Sequence, residues 1–236
     1  MIAMINRALR SRHRDDRGLG LPELLVTMAL MSIVSVVVVT LFVSVTRAFN
    51  RDTTATDNTN SASIGMNELT RVLRAGTEIR RSANPVNLPV FITATHSSVE
   101  MHAFLDTNSA SPRPVKIAFT LNAAGELVET RYAAIASSDP YWTFSGAAQS
   151  TRVIARNVSP SVPTPTGTAM PLFTYVDVNG DPMTPATGSF SESERAAIAA
   201  VAVSIEVQSS ATGTAKPVRL ENTVGIPNLS FSRLGL

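Results

Sequence analysis

Arg17-Gly18-Leu19-Gly20-Leu21-Pro22-Glu23, followed by Leu24 to Thr46 without one charge, is the stretch on which the fold turns. The uncharged run is 23 residues long, and 14 of them are Leu, Val, Ile or Phe. At about 1.5 Å rise per residue a helix of this length covers roughly 35 Å, enough to cross a hydrocarbon core of about 30 Å. The large apolar side chains, at about −0.3 to −0.6 kcal/mol each, favour insertion by roughly 4 to 8 kcal/mol before Ser and Thr subtract. An ordinary secretory signal has a shorter apolar region, about 7–15 residues, and ends in a small-x-small site. Neither condition fits. Glu23 at the head of the run is costly, about 2–3 kcal/mol or more for a carboxylate at bilayer depth, and asks for a cation as partner.

Outward from this stretch, charge is unevenly placed. The chain has 236 residues with 20 Lys+Arg against 18 Asp+Glu, a formal net charge of +2. Arg7, Arg10, Arg12, Arg14 and Arg17, against Asp15 and Asp16, give residues 1–18 a charge of +3 and leave −1 for the remainder. By the positive-inside bias the N-terminus is cytoplasmic and residues 47–236 lie across the membrane. A charge of −1 beyond the leader speaks against nucleic acid as a partner, because counterion release needs clustered Lys and Arg. Arg152 and Arg156, flanking one strand, are the nearest thing to such a cluster. With no Cys, a disulfide framework, a thiolate metal site and a Cys nucleophile are all excluded.

The segment Arg17 to Val26 resembles the prepilin-type cleavage and methylation motif of type IV pilins and type II secretion pseudopilins: a basic residue, Gly, an apolar residue, three spacers, Glu and a long apolar run. The resemblance implies that a prepilin peptidase cuts after Gly18, that the new terminal Leu19 is N-methylated, and that Glu23 neutralises the terminal amine of a neighbouring subunit and so sets subunit register. A charge pair at about 4 Å is worth roughly 4 kcal/mol at an effective dielectric of 20, enough to offset burial of both groups. Pro22 is compatible with a helix beginning near Leu19, since the first four N–H groups of a helix have no intrahelical acceptor. Major subunits of this family often carry Gly or Pro halfway along the helix, whereas Glu23 to Ile64 contains neither, which suits a minor subunit or pseudopilin.

Beyond the apolar run, Met66, Leu69, Val72, Leu73 and Ile79 recur at helical spacing, so the helix is expected to continue through 47–82 as an amphipathic extension. Its weak part is Asn50 to Ser63, whose Thr, Asn, Asp and Ser prefer caps and turns. Gly76 and Asn84-Pro85 are the stop signals. After residue 85 the period changes to two. Val115-Lys-Ile117-Ala-Phe119-Thr-Leu121, the turn Asn122-Ala-Ala-Gly125 and Glu126 to Tyr132 make a hairpin. Further strands are expected at Val90–Thr95, Val99–Leu105, Arg152–Val158, Leu172–Val178, Ala199–Val207 and Val218–Val224. Ser159 to Thr168 and Asp181 to Glu194 read as surface loops, with Ser191-Glu-Ser-Glu-Arg able to cap a short helical turn. In order and pattern these segments are similar to the larger minor pilins and the J-type pseudopilins. Many pilins close a C-terminal loop with a disulfide, which this chain cannot form.

The chemistry-bearing residues are few. Of His13, His96 and His102 only the last two follow the leader; His102, on a strand with Glu100 and Phe104, reads as solvated or half-buried. No G-x-S-x-G, H-E-x-x-H, Walker or G-x-G-x-x-G pattern occurs, so the chain is expected not to be an enzyme and to need no cofactor. Asp177-Val-Asn179-Gly-Asp181 opens like a calcium loop, but Pro182 and Gly188 stand where an EF-hand needs Gly and Glu. Asn179-Gly180 reads more simply as a hairpin turn, with Asp177, Asn179 and Asp181 the weak calcium candidate.

The expectation is an α+β, pilin-like chain: a leader over 1–18, a transmembrane and filament-core helix over 19–46, its continuation over 47–82, and an antiparallel β domain over 83–236. Through the resemblance its partners are the prepilin peptidase, other pilin or pseudopilin subunits, the membrane platform of the assembly machine, and membrane lipid. It is placed in the cytoplasmic membrane as a single-pass protein and, after assembly, in a surface or periplasmic filament. The alternative is an uncleaved, signal-anchored extracytoplasmic binding domain or enzyme, which leaves Gly18 and Glu23 without roles.

Overall fold

The computed structural model describes residues 20–81, 86–105, 112–138, 141–163, 169–185, 189–208 and 216–229. The fold is α+β, as expected: one long N-terminal helix, α1 (Leu21–Arg74), with antiparallel sheets formed by the chain that follows. The chain divides into two compact units, residues 1–50 and 51–236. In the first, α1 carries Glu23 in its opening turn. The Gly20 carbonyl accepts from the Glu23 and Leu24 amides at 2.9 and 3.1 Å, and Pro22, lacking an N–H, sits where none is needed.

In the second unit α1 buries Met66, Leu69, Val72 and Leu73 of the stripe read from the sequence, with Ala62 beside them, while Ile79, read as part of that stripe, is buried beyond the end of the helix. The polar stretch at 50–63 is helical throughout: Thr56 and Thr59 turn their hydroxyls back onto the carbonyls of Asp52 and Ala55 at 2.9 and 2.8 Å, so these side chains do not compete for the helix's own amides. The helix stops at Arg74, short of the expected 82. The reason is tertiary: Gly76 bridges to Ala103, the Thr77 amide donates to His102 O at 3.0 Å, and Ile79 bridges to Leu88. A Cβ on Gly76 would stand 2.8 Å from Met101 Cε and 2.9 Å from Val90 Cγ1, so glycine there permits the close approach that ends the helix.

One sheet was expected; among the described residues three form. The largest has six strands: β1 (Phe91–Ala94), β2 (Ser98–Ala103), β3 (Val115–Leu121) and β4 (Leu127–Ser138) in order, with β5 (Tyr141–Phe144) and β6 (Ser150–Ala155) both pairing β4. β4 runs past the expected Tyr132, and its second half pairs β5, a strand the sequence reading passed over. The β3–β4 hairpin is as expected, Leu121 opposite Leu127. Asn122 Oδ1 accepts the Ala124 and Glu126 amides, and Gly125 supplies the positive φ of 71°.

A second hairpin, β7 (Ser161–Pro163) with β8 (Ala169–Pro171), occupies part of what read as a Pro/Thr-rich loop. The third sheet has the order β10 (Pro182–Met183), β9 (Phe173–Val176), β11 (Ala200–Val207), β12 (Val218–Gly225). Between β10 and β11 lies α2 (Glu192–Ala197), closed by the capping box of Ser191 and Glu194 that the sequence suggested. Strands β1 to β4, β6, β9, β11 and β12 share one core with α1, where Leu69 and Leu73 join Phe91, Phe119, Phe173, Tyr175 and Ile205. Gly65 lets the helix reach both large sheets: its Cβ position lies 3.0 Å from Ala155 Cβ and 3.6 Å from Ile205 Cδ1.

Candidate functional site

The feature that needs a partner is the first part of α1. Every described residue from Gly20 to Asn50 is exposed, among them Leu21 at 75 % and Phe42 at 71 %. An apolar surface this long does not stay in water. The apolar side chains surround the helix rather than forming one stripe, as in helices bathed in an apolar medium on all sides. Five of its hydroxyls are already spent: Thr27, Ser32, Thr40, Ser44 and Thr46 donate to carbonyls three or four residues back at 2.7–2.9 Å. The helical backbone and these five hydroxyls are thus satisfied within the segment, which favours entry into hydrocarbon. The helix is long and apolar enough to cross a membrane. Glu23 sits exposed at its head, with no cation against its carboxylate among the described residues. Gly18 and Leu19 lie outside the described residues.

The remaining sequence candidates are placed as follows. Asp177 closes the β9–β10 turn: its carboxylate accepts the amides of Asn179 at 2.8 Å and Asp181 at 2.9 Å, and Gly180 takes φ 90°. The Asp181 amide, first among its contacts, holds the Asp177 carboxyl below its ordinary range. Asp177, Asn179 and Asp181 therefore have a turn-forming use that needs no ion. Millimolar calcium is expected to leave the thermal midpoint of the chain unchanged, while Asp177→Ala lowers it at neutral pH; both are read by calorimetry with and without chelator, and an upward shift with calcium would revive the metal reading.

Arg152 and Arg156 do not form a bare basic patch. Arg152 meets Glu68 and Glu129, and Arg156 meets Glu126. His102 corrects the expectation of a solvated or half-buried ring: it is 4 % exposed, and burial pushes its imidazole down to about 4. Its Nδ1 lies 3.2 Å from the Pro89 carbonyl, which can only accept, and its ring stacks on Phe144 with centroids 4.9 Å apart.

The sequence reading missed one cluster altogether. Glu129 of β4, its side chain fully buried, accepts from Arg131 and from Arg152, the latter at 2.6 and 2.9 Å. Glu68 of α1 accepts from Arg71, Arg131 and Arg152 in turn. The Arg71 guanidinium is the main cause holding the Glu68 carboxyl below its ordinary value, against the opposing effect of burial. The signal was present in β4, where Glu129 and Arg131 continue the inward parity of Leu127. Charges at core-facing positions announce partners across the layer.

No known protein-family model matches this chain, and no curated protein matches it.

Proposed function

We propose that the chain is a minor pilin-like or pseudopilin-like structural subunit, cleaved after Gly18, N-methylated on Leu19, and assembled through α1 into a type IV pilus or type II secretion pseudopilus. One observation carries the reading: the Arg17-Gly18 to Glu23 motif stands directly before a helix whose residues 21–50 bury nothing. An exposed apolar helix headed by a carboxylate needs a lipid solvent first and apolar neighbours with a cation second. A filament of like subunits, each offering a terminal amine near the next subunit's Glu23, supplies both. In this reading the N-terminus starts in the cytoplasm, the β domain lies across the membrane, and the prepilin peptidase, other subunits and the assembly platform are the partners.

The test is the N-terminal mass of the protein taken from membranes of its native cells, with the prepilin peptidase present and with it deleted. A peptide that begins at N-methyl-Leu19 and disappears on deletion is the expected result. An intact leader in both cells would make α1 a plain anchor and turn attention to the outer domain as a binding module or enzyme.

A further inference from the structure

The end of the six-stranded sheet formed by β5 and the second half of β4 stands apart from the core. None of residues 134, 135 and 141–144 belongs to the buried core cluster, Ile135 is 53 % exposed, and β5 pairs with β4 alone among the described strands. Phe144 ties β5 inward, its ring stacked on His102. The His102 ring is held in place by its Nδ1 bond to Pro89 O at 3.2 Å, on a backbone fixed on both sides: its amide donates to Val90 O at 2.9 Å and its carbonyl accepts from Thr77 at 3.0 Å. If the imidazole is to be hydrated, Phe144 must leave it.

We propose that His102, Phe144 and the Pro89 carbonyl form an acid-operated latch, in which protonation of the imidazole releases β5 from the sheet while the core stays folded. Nδ1 carries the hydrogen donated to Pro89 O, so the added proton goes to Nε2 and creates a charge in a dry site. The charged groups that reach the ring are Glu100 on β2 and Lys116 on β3, which act in opposite directions and are paired with each other at 3.0 Å. Tyr132 of β4 lies beneath Lys116 rather than against the imidazole. β1, β5 and residues 86–90 hold no carboxylate and no cation. On the segment whose Thr77 amide donates to the His102 carbonyl, Glu78 is engaged by Asn87 Nδ2 at 3.1 Å. With both neighbouring carboxylates already partnered, the new charge draws in water, and water enters where the fewest buried contacts are lost.

The sign follows from linkage. With Phe144 in place the imidazole titrates at about 4, and once hydrated at its ordinary 6.5. The closed state is fully favoured above 6.5 and loses that advantage as pH falls toward 4. The opening constant rises about tenfold per pH unit across this window, roughly 300-fold in all.

Trp142 of β5 is the only tryptophan in the chain and reports the latch directly. The full chain in detergent micelles is titrated from pH 7 to 4, with Trp142 emission and iodide quenching followed beside far-UV circular dichroism. The expected result is increased Trp142 exposure over this range with the dichroism held, and loss of that step in His102→Phe. A second measurement, the NMR titration of the His102 imidazole, is expected to move up from about 4 toward 6.5 in Phe144→Ala. The proposal is overturned by a Trp142 step that persists in His102→Phe or coincides with loss of dichroism, by no step down to pH 4, or by an imidazole that ignores Phe144→Ala.

Discussion

Glu129→Ala is expected to cost about 3 kcal/mol of folding stability, a large share of the 5–15 kcal/mol typical of a native domain. Its side chain is fully buried and receives Arg131 and both the Nε and Nη2 of Arg152. Without it two guanidinium groups face each other across a layer that retains only Glu68, itself already shared with Arg71. Because Arg152 is half exposed it can turn to water, which holds the cost near the low end of what removing one member of a buried pair incurs. Urea unfolding of the detergent-solubilised chain measures it. Glu68→Ala in the same background should cost less than it does alone, since the two carboxylates share their arginines. The cluster also sets an acid limit. The folded Glu68 carboxyl lies below its ordinary value of 4.5, so its contribution is complete above that pH and is lost as pH falls through the folded value. A loss below about 1 kcal/mol for Glu129→Ala would mean that the buried charges merely break even.

What the sequence made legible follows from how local each signal is. Periodicity placed α1, the β3–β4 hairpin and β11, because a stripe of Met66, Leu69, Val72 and Leu73, or the alternation of Val201, Val203 and Ile205, is written in consecutive residues. The end of α1 was misplaced because Arg74 is followed by no local stop as strong as the bridge from Gly76 to Ala103, a contact between residues far apart in the chain. The branching of the six-stranded sheet was hidden for the same reason: β4 gives its first half to β6 and its second to β5, a choice made by tertiary packing. The motif around Glu23 is local, lying within ten residues, and what the structure adds is that Glu23 heads an exposed apolar helix. The Glu68–Glu129 cluster was not, because its members come from three elements, although charges at core parity in β4 hinted at it.

The second large effect concerns the apolar part of α1. Val34→Arg with Val38→Arg places two guanidiniums one turn apart near the middle of the uncharged run. At about 2.5–3.5 kcal/mol each for a cation at the helix centre, the pair costs roughly 5–7 kcal/mol, comparable with the whole 4–8 kcal/mol that favours insertion. The double variant is expected to leave the carbonate-resistant membrane fraction, while Val34→Leu with Val38→Leu remains in it. Folding of the β domain should be unaffected in both, because no described residue from 21 to 50 is buried, so circular dichroism and protease resistance of that domain serve as the control. Carbonate resistance retained by the arginine pair would show that something other than lipid covers this helix. The satisfied hydroxyls of Thr27, Ser32, Thr40, Ser44 and Thr46 would then be an adaptation to close helix neighbours, and the apolar run would have to be explained by protein contacts alone.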